Sequence, residues 1–209
     1  MSLATNWGYT LTEEAATLTD MITTEEFDAY TAGKYTGDVR IEAEIKAASQ
    51  AIRNYCGWHV YPSAACSMTE RLLNGNGRTK RVGQDLMIQL PARFVTEISS
   101  VMIDDVACAV FYFDNDGIVH VFDVPAMNRK SVVTVTYTAG IPDALMASVK
   151  ELVAHRVTHA LASSNGVTSE AAGGVSITYN AAWVNSARAS ALPDDDKEVL
   201  APYRIQGVF

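Results

Sequence analysis

Val132-Val133-Thr134-Val135-Thr136-Tyr137-Thr138-Ala139-Gly140-Ile141-Pro142-Asp143 changes period halfway along its length. Val132 to Tyr137 has the two-residue period of a strand. Gly140 to Asp143 then sets up a helix. Pro142 suits a first turn because it has no N–H to lose, and Asp143 favours the positive end of the helix dipole. Beyond it Leu145, Val149, Leu152, Val153, Val157, Ala160 and Leu161 recur at helical spacing, which predicts a core helix over 142–162.

Upstream of this junction the strand period continues in Met68 to Leu73, Leu86 to Leu90, Ile98 to Ile103, Ala109 to Phe113 and Ile118 to Phe122. Turn signals separate these runs at Asn74-Gly75-Asn76-Gly77, Asp104-Asp105 and Asn115-Asp116-Gly117. Leu90-Pro91 and Val124-Pro125 break the ladder and belong at edges or corners, because proline cannot donate to a sheet. Nearer the N-terminus, Asp38 precedes the apolar stripe Ile41, Ile45, Ala48, Ile52 and Tyr55, which stops at Gly57, so a first core helix is expected over 38–57. Thr10-Leu11-Thr12-Glu13 and Thr23-Thr24-Glu25-Glu26 each place a hydroxyl three residues before a glutamate, and two short capped helices are expected from them.

Downstream lies Ser163-Ser164-Asn165-Gly166-Val167-Thr168-Ser169-Glu170-Ala171-Ala172-Gly173-Gly174-Val175-Ser176-Ile177-Thr178-Tyr179. Alternation puts Val175, Ile177 and Tyr179 on one face of a strand, and Gly166, Gly173 and Gly174 admit positive φ at its ends. With no partner run beside it, 164–182 is expected to be a strand arm that pairs with another chain. Leu192-Pro193-Asp194-Asp195-Asp196 starts a last short helix ending near Tyr203-Arg204, its three aspartates forming a solvated, dipole-favoured first turn. The fold class read from these elements is α+β: a small helical bundle with an inserted antiparallel β subdomain and a C-terminal strand arm. Its expected parts are 1–66, 67–138 and 139–209, with joins at 60–66 and 138–141.

Composition narrows the function classes. The 209 residues are 48% hydrophobic, enough for a substantial core, and the formal net charge of −8 argues against tight gripping of a phosphate backbone, which needs clustered Lys and Arg. An acidic wall past which DNA slides remains compatible. Three cysteines, Cys56, Cys66 and Cys108, are odd in number and irregularly spaced, which points to a reducing compartment and not a disulfide framework. No apolar run spans a bilayer and the N-terminus lacks the charge and apolar pattern of a secretory leader, so synthesis in the cytosol is expected.

No motif makes an active site. His155 and His159 have the spacing of a zinc hydrolase helix, but Arg156 stands where that motif has its glutamate base, and a cation there opposes a metal. The two rings are read as helix-face histidines in a packed or subunit-facing position, binding no metal. Cys56-Gly57-Trp58-His59 lacks a second ligand pair and reads as a helix end with Cys56 and Trp58 buried. Asn74 to Arg78 lacks the Gly-Lys-Ser/Thr ending of a phosphate loop, and no nucleophile elbow occurs. Glu13-Glu14 and Glu25-Glu26 are explained by capping. No catalytic residue, metal or cofactor is expected. The arm and the tail ending in Tyr203-Arg204 look like assembly elements.

Four groups of residues carry a family resemblance: Ile45 to Trp58, Leu90-Pro91 with Val95 and Ile98 to Val101, Val135 to Pro142, and Ser169 with Gly173 to Tyr179 followed by Leu200 and Tyr203-Arg204. In this order, over about 38–207, the chain resembles the head-tail connector, or head-completion, proteins of long-tailed bacteriophages and prophages. The resemblance implies a structural virion protein forming a homo-oligomeric ring between the portal protein and the tail or its stopper. DNA would pass through the channel without sequence-specific binding, and no membrane is involved. It places the chain in the host cytoplasm during assembly and then in the virion. It also implies that Ser169, Gly173, Gly174, Val175, Ile177, Tyr179, Tyr203 and Arg204 meet a neighbouring subunit or the portal. The rival reading is a carbohydrate- or host-surface-binding β module of a phage particle, using Tyr112, Phe113, Trp58 or Trp183 as stacking platforms.

Overall fold

A computed structural model describes residues 3–4, 6–12, 18–72, 78–109, 111–124, 127–128, 130–162, 169–172, 175–178 and 192–205. In chain order the elements are β1 (Leu3–Ala4), β2 (Thr10–Leu11), α1 (Thr24–Tyr30), α2 (Ile41–Cys56), β3 (Ala64–Arg71), β4 (Thr79–Val82), β5 (Asp85–Gln89), β6 (Val95–Ile103), β7 (Val106–Ala107), β8 (Phe111–Phe113), β9 (Ile118–Val121), β10 (Val132–Ala139), α3 (Ala147–Ala162), β11 (Ser169–Ala172), β12 (Val175–Thr178) and α4 (Asp194–Leu200). The class is α+β, and the chain divides into two compact units. One gathers Met1–Thr19, Gly57–Pro142 and Tyr203–Phe209; the other gathers Asp20–Cys56 and Asp143–Pro202.

The strand half of the opening stretch is the centre of the β unit. β10 pairs antiparallel with β3 from Val132↔Arg71 to Ala139↔Ala64, and on its other side with β6 from Val133↔Ile103 to Ala139↔Val95. The sheet order is β1-β2-β3-β10-β6-β7. Burial along β10 alternates strictly, with Val133, Val135, Tyr137 and Ala139 inside. That is what a valine-threonine alternation dictates once one face is covered. A second antiparallel sheet, β4-β5-β9-β8, buries Leu86, Ile88, Val119 and Val121. The Asp104-Asp105 turn between β6 and β7 has φ of 48° and 63°, the two positive values of a tight hairpin.

At the predicted Asn115-Asp116-Gly117 turn, Asp114 Oδ1 accepts from the Ile118 N–H at 2.9 Å and Gly117 takes φ +83°. The turn docks on the connection after β5: Leu90 N–H donates to Gly117 O at 2.7 Å, and Phe94 N–H to Asn115 O at 2.7 Å. A Cβ on Gly117 would collide with the Ala92 carbonyl oxygen, so close backbone approach as well as φ requires glycine.

In the other unit α2 packs on α3, α1 on α2, and α4 on both α2 and α3. The predicted apolar stripe of α2 is buried at Ile41, Ile45, Ala48 and Ile52, its last member Tyr55 is half-buried, and Cys56 at the helix end is buried as expected. The box at Thr23 forms as expected, with Glu26 N–H donating to Thr23 Oγ1 at 3.2 Å and Thr23 N–H to Glu26 Oε2 at 2.9 Å. The other expected cap is corrected at Thr10 and Leu11, while 13–17 lies outside the described residues. Thr10 and Leu11 form β2, and their neighbourhood spends its hydroxyls on β3: Thr10 Oγ1 donates to Ser67 O at 3.2 Å and Thr12 Oγ1 to Ala65 O at 3.3 Å. Strand pairing outcompetes a cap here because it also buries Leu11 completely.

The helix expected from Pro142 begins as a 3-10 turn, Asp143–Leu145, and becomes α-helical only at Ala147, leaving Leu145 exposed. The expected turn at 74–77, with Gly166, Gly173, Gly174, Tyr179 and Trp183, lies outside the described residues.

Candidate functional site

The stretch expected to be an unpaired arm is a hairpin. β11 and β12 pair antiparallel, Ser169↔Thr178, Glu170↔Ile177, Ala171↔Ser176 and Ala172↔Val175, in a two-stranded sheet of their own. The expectation that Val175 to Thr178 lacks a nearby partner is therefore corrected: Ser169–Ala172, two residues upstream, supplies it. Among the site residues named from sequence, Ser169, Val175 and Ile177 are brought into this one ladder.

Tyr203 and Arg204 belong to the β unit. Trp58 is fully buried there and its Nε1–H donates to Tyr203 O at 2.7 Å, while Arg93 Nη1 donates to Arg204 O at 3.4 Å and Arg93 also pairs with Asp116. The Phe94 ring stacks on Trp58 at 6.4 Å and meets Tyr203 at 6.0 Å. The tail is thus held through its main-chain carbonyls, which leaves the Arg204 side chain exposed. Trp58 cannot act as a stacking platform. On the outer face of the second sheet Tyr112 is exposed and its ring stacks nearly parallel on His120, centroids 4.3 Å apart, with Phe122 at 5.7 Å.

His59 is buried and fully engaged. Its Nε2 faces Ala139 O at 2.8 Å, an atom that only accepts, so Nε2 carries the proton; Nδ1 then accepts from Tyr9 Oη at 2.7 Å, and the His59 N–H donates back to Tyr9 Oη at 3.0 Å. These contacts make His59 a structural clasp. Tyr137 lies beside Tyr9, and its buried hydroxyl has no hydrogen-bond partner among the described residues; burial raises its pKa well above the ordinary value. Burial also pushes the Cys66 thiol up to about 12, so it stays protonated and unreactive.

In the helical unit the reading of Asp194, Asp195 and Asp196 as a solvated turn holds for the first two and fails for the third. Asp196 is buried, and its Oδ2 lies 2.7 Å from Arg156 Nη1. Sequence inspection missed this pair because the two residues are 40 positions apart. On the same helix His155 and His159 approach each other, Nε2 to Nε2, at 3.3 Å. Burial, and then the neighbouring His155 ring, holds His159 below its ordinary pKa. Beside them lies a groove of about 560 Å³ lined by Tyr30, Lys34, Tyr35, Glu151, Leu152 and Val199. Among the described residues no group of three or more His, Cys, Asp or Glu side chains could hold a metal, and no helix is long and apolar enough to cross a membrane.

No curated protein matches the chain. A family described as Head completion protein matches residues 20–205, which takes in both core helices, the four-stranded sheet, strands β3, β10, β6 and β7 of the six-stranded sheet, the hairpin and the closing Tyr203-Arg204. The chain accordingly belongs to the head completion protein family and is a structural component of a phage head.

Proposed function

We propose that the protein is a head-tail connector subunit, many copies of which form a ring between the portal protein and the tail or its stopper. Family membership over residues 20–205 is the observation that carries this reading. The hairpin β11–β12 supports it physically. A two-stranded ladder is marginal in water and leaves main-chain donors and acceptors open on its outer edges, so a neighbouring chain that covers it gains hydrogen bonds and apolar contact. A ring interface matches one patch to a different patch on the next copy, which suits a two-stranded element of this kind. Ser169, Gly173, Gly174, Val175, Ile177 and Tyr179 are assigned to that contact, with Arg204 at the tail. The net charge of −8 fits a channel through which DNA passes without sequence-specific binding.

Replacing Val175, Ile177 and Tyr179 together with Ser tests the assignment. The expected result is a thermal midpoint close to the parent's and loss of assembly onto portal-bearing heads. Unfolding of the variant, or normal assembly into infectious particles, contradicts it.

A further inference from the structure

His155 and His159 stand one turn apart on α3, with ring planes 79° apart and centroids separated by 4.5 Å. The sequence argument against a metal here rested on the charge of Arg156. In the structure that guanidinium points into the core, its side chain 6% exposed, and is neutralised by Asp196 at 2.7 Å. The objection to hydrolysis stands, since no base follows His155; the objection to binding does not.

An imidazole nitrogen sits about 2.0–2.1 Å from a bound zinc ion. Two such bonds across the observed 3.3 Å enclose about 104–111° at the metal, close to the tetrahedral value. We propose that His155 and His159 chelate one divalent transition-metal ion, of the zinc, nickel or copper type, through their two Nε2 atoms. Imidazole donors favour these ions over magnesium or calcium, which prefer oxygen. With no third protein ligand among the described residues, water fills the remaining positions. Both donors ride on one helix, so binding orders only two side chains and no backbone. In the free protein one ring donates its Nε2–H to the other; chelation requires that ring in its Nδ1–H tautomer, and two neutral rings release no proton overall.

Untagged protein stripped with chelator and titrated calorimetrically with Ni²⁺ and with Zn²⁺ tests the assignment. The expected result is binding that weakens at least tenfold in His155→Gln and equally in His159→Gln, because either ring alone cannot chelate, and that is unchanged in Cys108→Ser and His120→Gln. Absence of binding by the folded parent, binding that survives either histidine substitution, or binding lost in Cys108→Ser or His120→Gln overturns it. Should a Gln variant fail to fold, the parent itself decides. Substoichiometric Cu²⁺ should broaden the imidazole proton resonances of both histidines together, and broadening of one ring alone contradicts a chelate.

Discussion

Arg156 Nη1 and Asp196 Oδ2 meet at 2.7 Å with side chains 6% and 4% exposed, tying α4 to the middle of α3. Each residue is buried only because the other is there. Desolvating two charges is expensive, and their attraction recovers that cost only while both are present. Asp196→Ala should therefore lower unfolding free energy by about 3–5 kcal/mol, whereas Arg156→Met with Asp196→Leu should restore most of it. Urea denaturation of the parent and the two variants checks this. A single substitution costing less than about 1 kcal/mol would show that the pair is solvated.

Two tyrosines 128 positions apart, Tyr9 and Tyr137, should respond oppositely to loss of the hydroxyl. Tyr9 Oη serves His59 twice, at Nδ1 and at the main-chain N–H, so Tyr9→Phe strands two buried groups and should cost about 2–3 kcal/mol. The Tyr137 hydroxyl is buried without a hydrogen-bond partner among the described residues, so Tyr137→Phe should leave stability unchanged or raise it by about 1 kcal/mol. Equal losses in the two variants would mean that Tyr137 has a partner, such as an ordered water.

The legible part of the fold was the part written in local period. β10 and α2 follow their alternation and stripe closely, and the Thr23 box and the Asn115-Asp116-Gly117 turn form because their hydrogen bonds close within four residues. Thr10 to Glu13 misled because a capping hydroxyl and a strand-edge hydroxyl look alike until β3, more than fifty residues away, supplies the competing carbonyls. The hairpin was missed for a different reason. Ser169-Glu170-Ala171-Ala172 has weak strand propensity, yet Gly173-Gly174 between it and Val175 is itself a two-residue hairpin signal, and giving it that weight would have supplied the partner. The Arg156–Asp196 pair left no trace in local pattern at all, since long-range charge pairing is set by how helices pack.

Stability should fall with acid partly through Glu26. Its carboxylate lies below its ordinary value of 4.5, first because Lys150 donates to it at 2.8 Å and then because the Thr23 N–H does. A carboxyl group whose folded value is depressed contributes stability above the unfolded value, and that contribution is lost as pH falls through the folded one. The pair is only part-buried, with the Lys150 and Glu26 side chains 24% and 42% exposed, and solvent screening holds its share to about 1 kcal/mol or less. Glu26→Gln should lower stability at neutral pH, and the difference from the parent should shrink as pH falls below 4.5 and through the depressed folded value. A constant difference between the two proteins across that range contradicts the linkage.

The connector reading is tested most directly by electron cryomicroscopy of the purified chain incubated with its portal protein. A closed ring beneath the portal is predicted, with residues 169–178 seated against the neighbouring copy or the portal. A chain that stays monomeric beside the portal, or that assembles with residues 169–178 facing solvent, would contradict it.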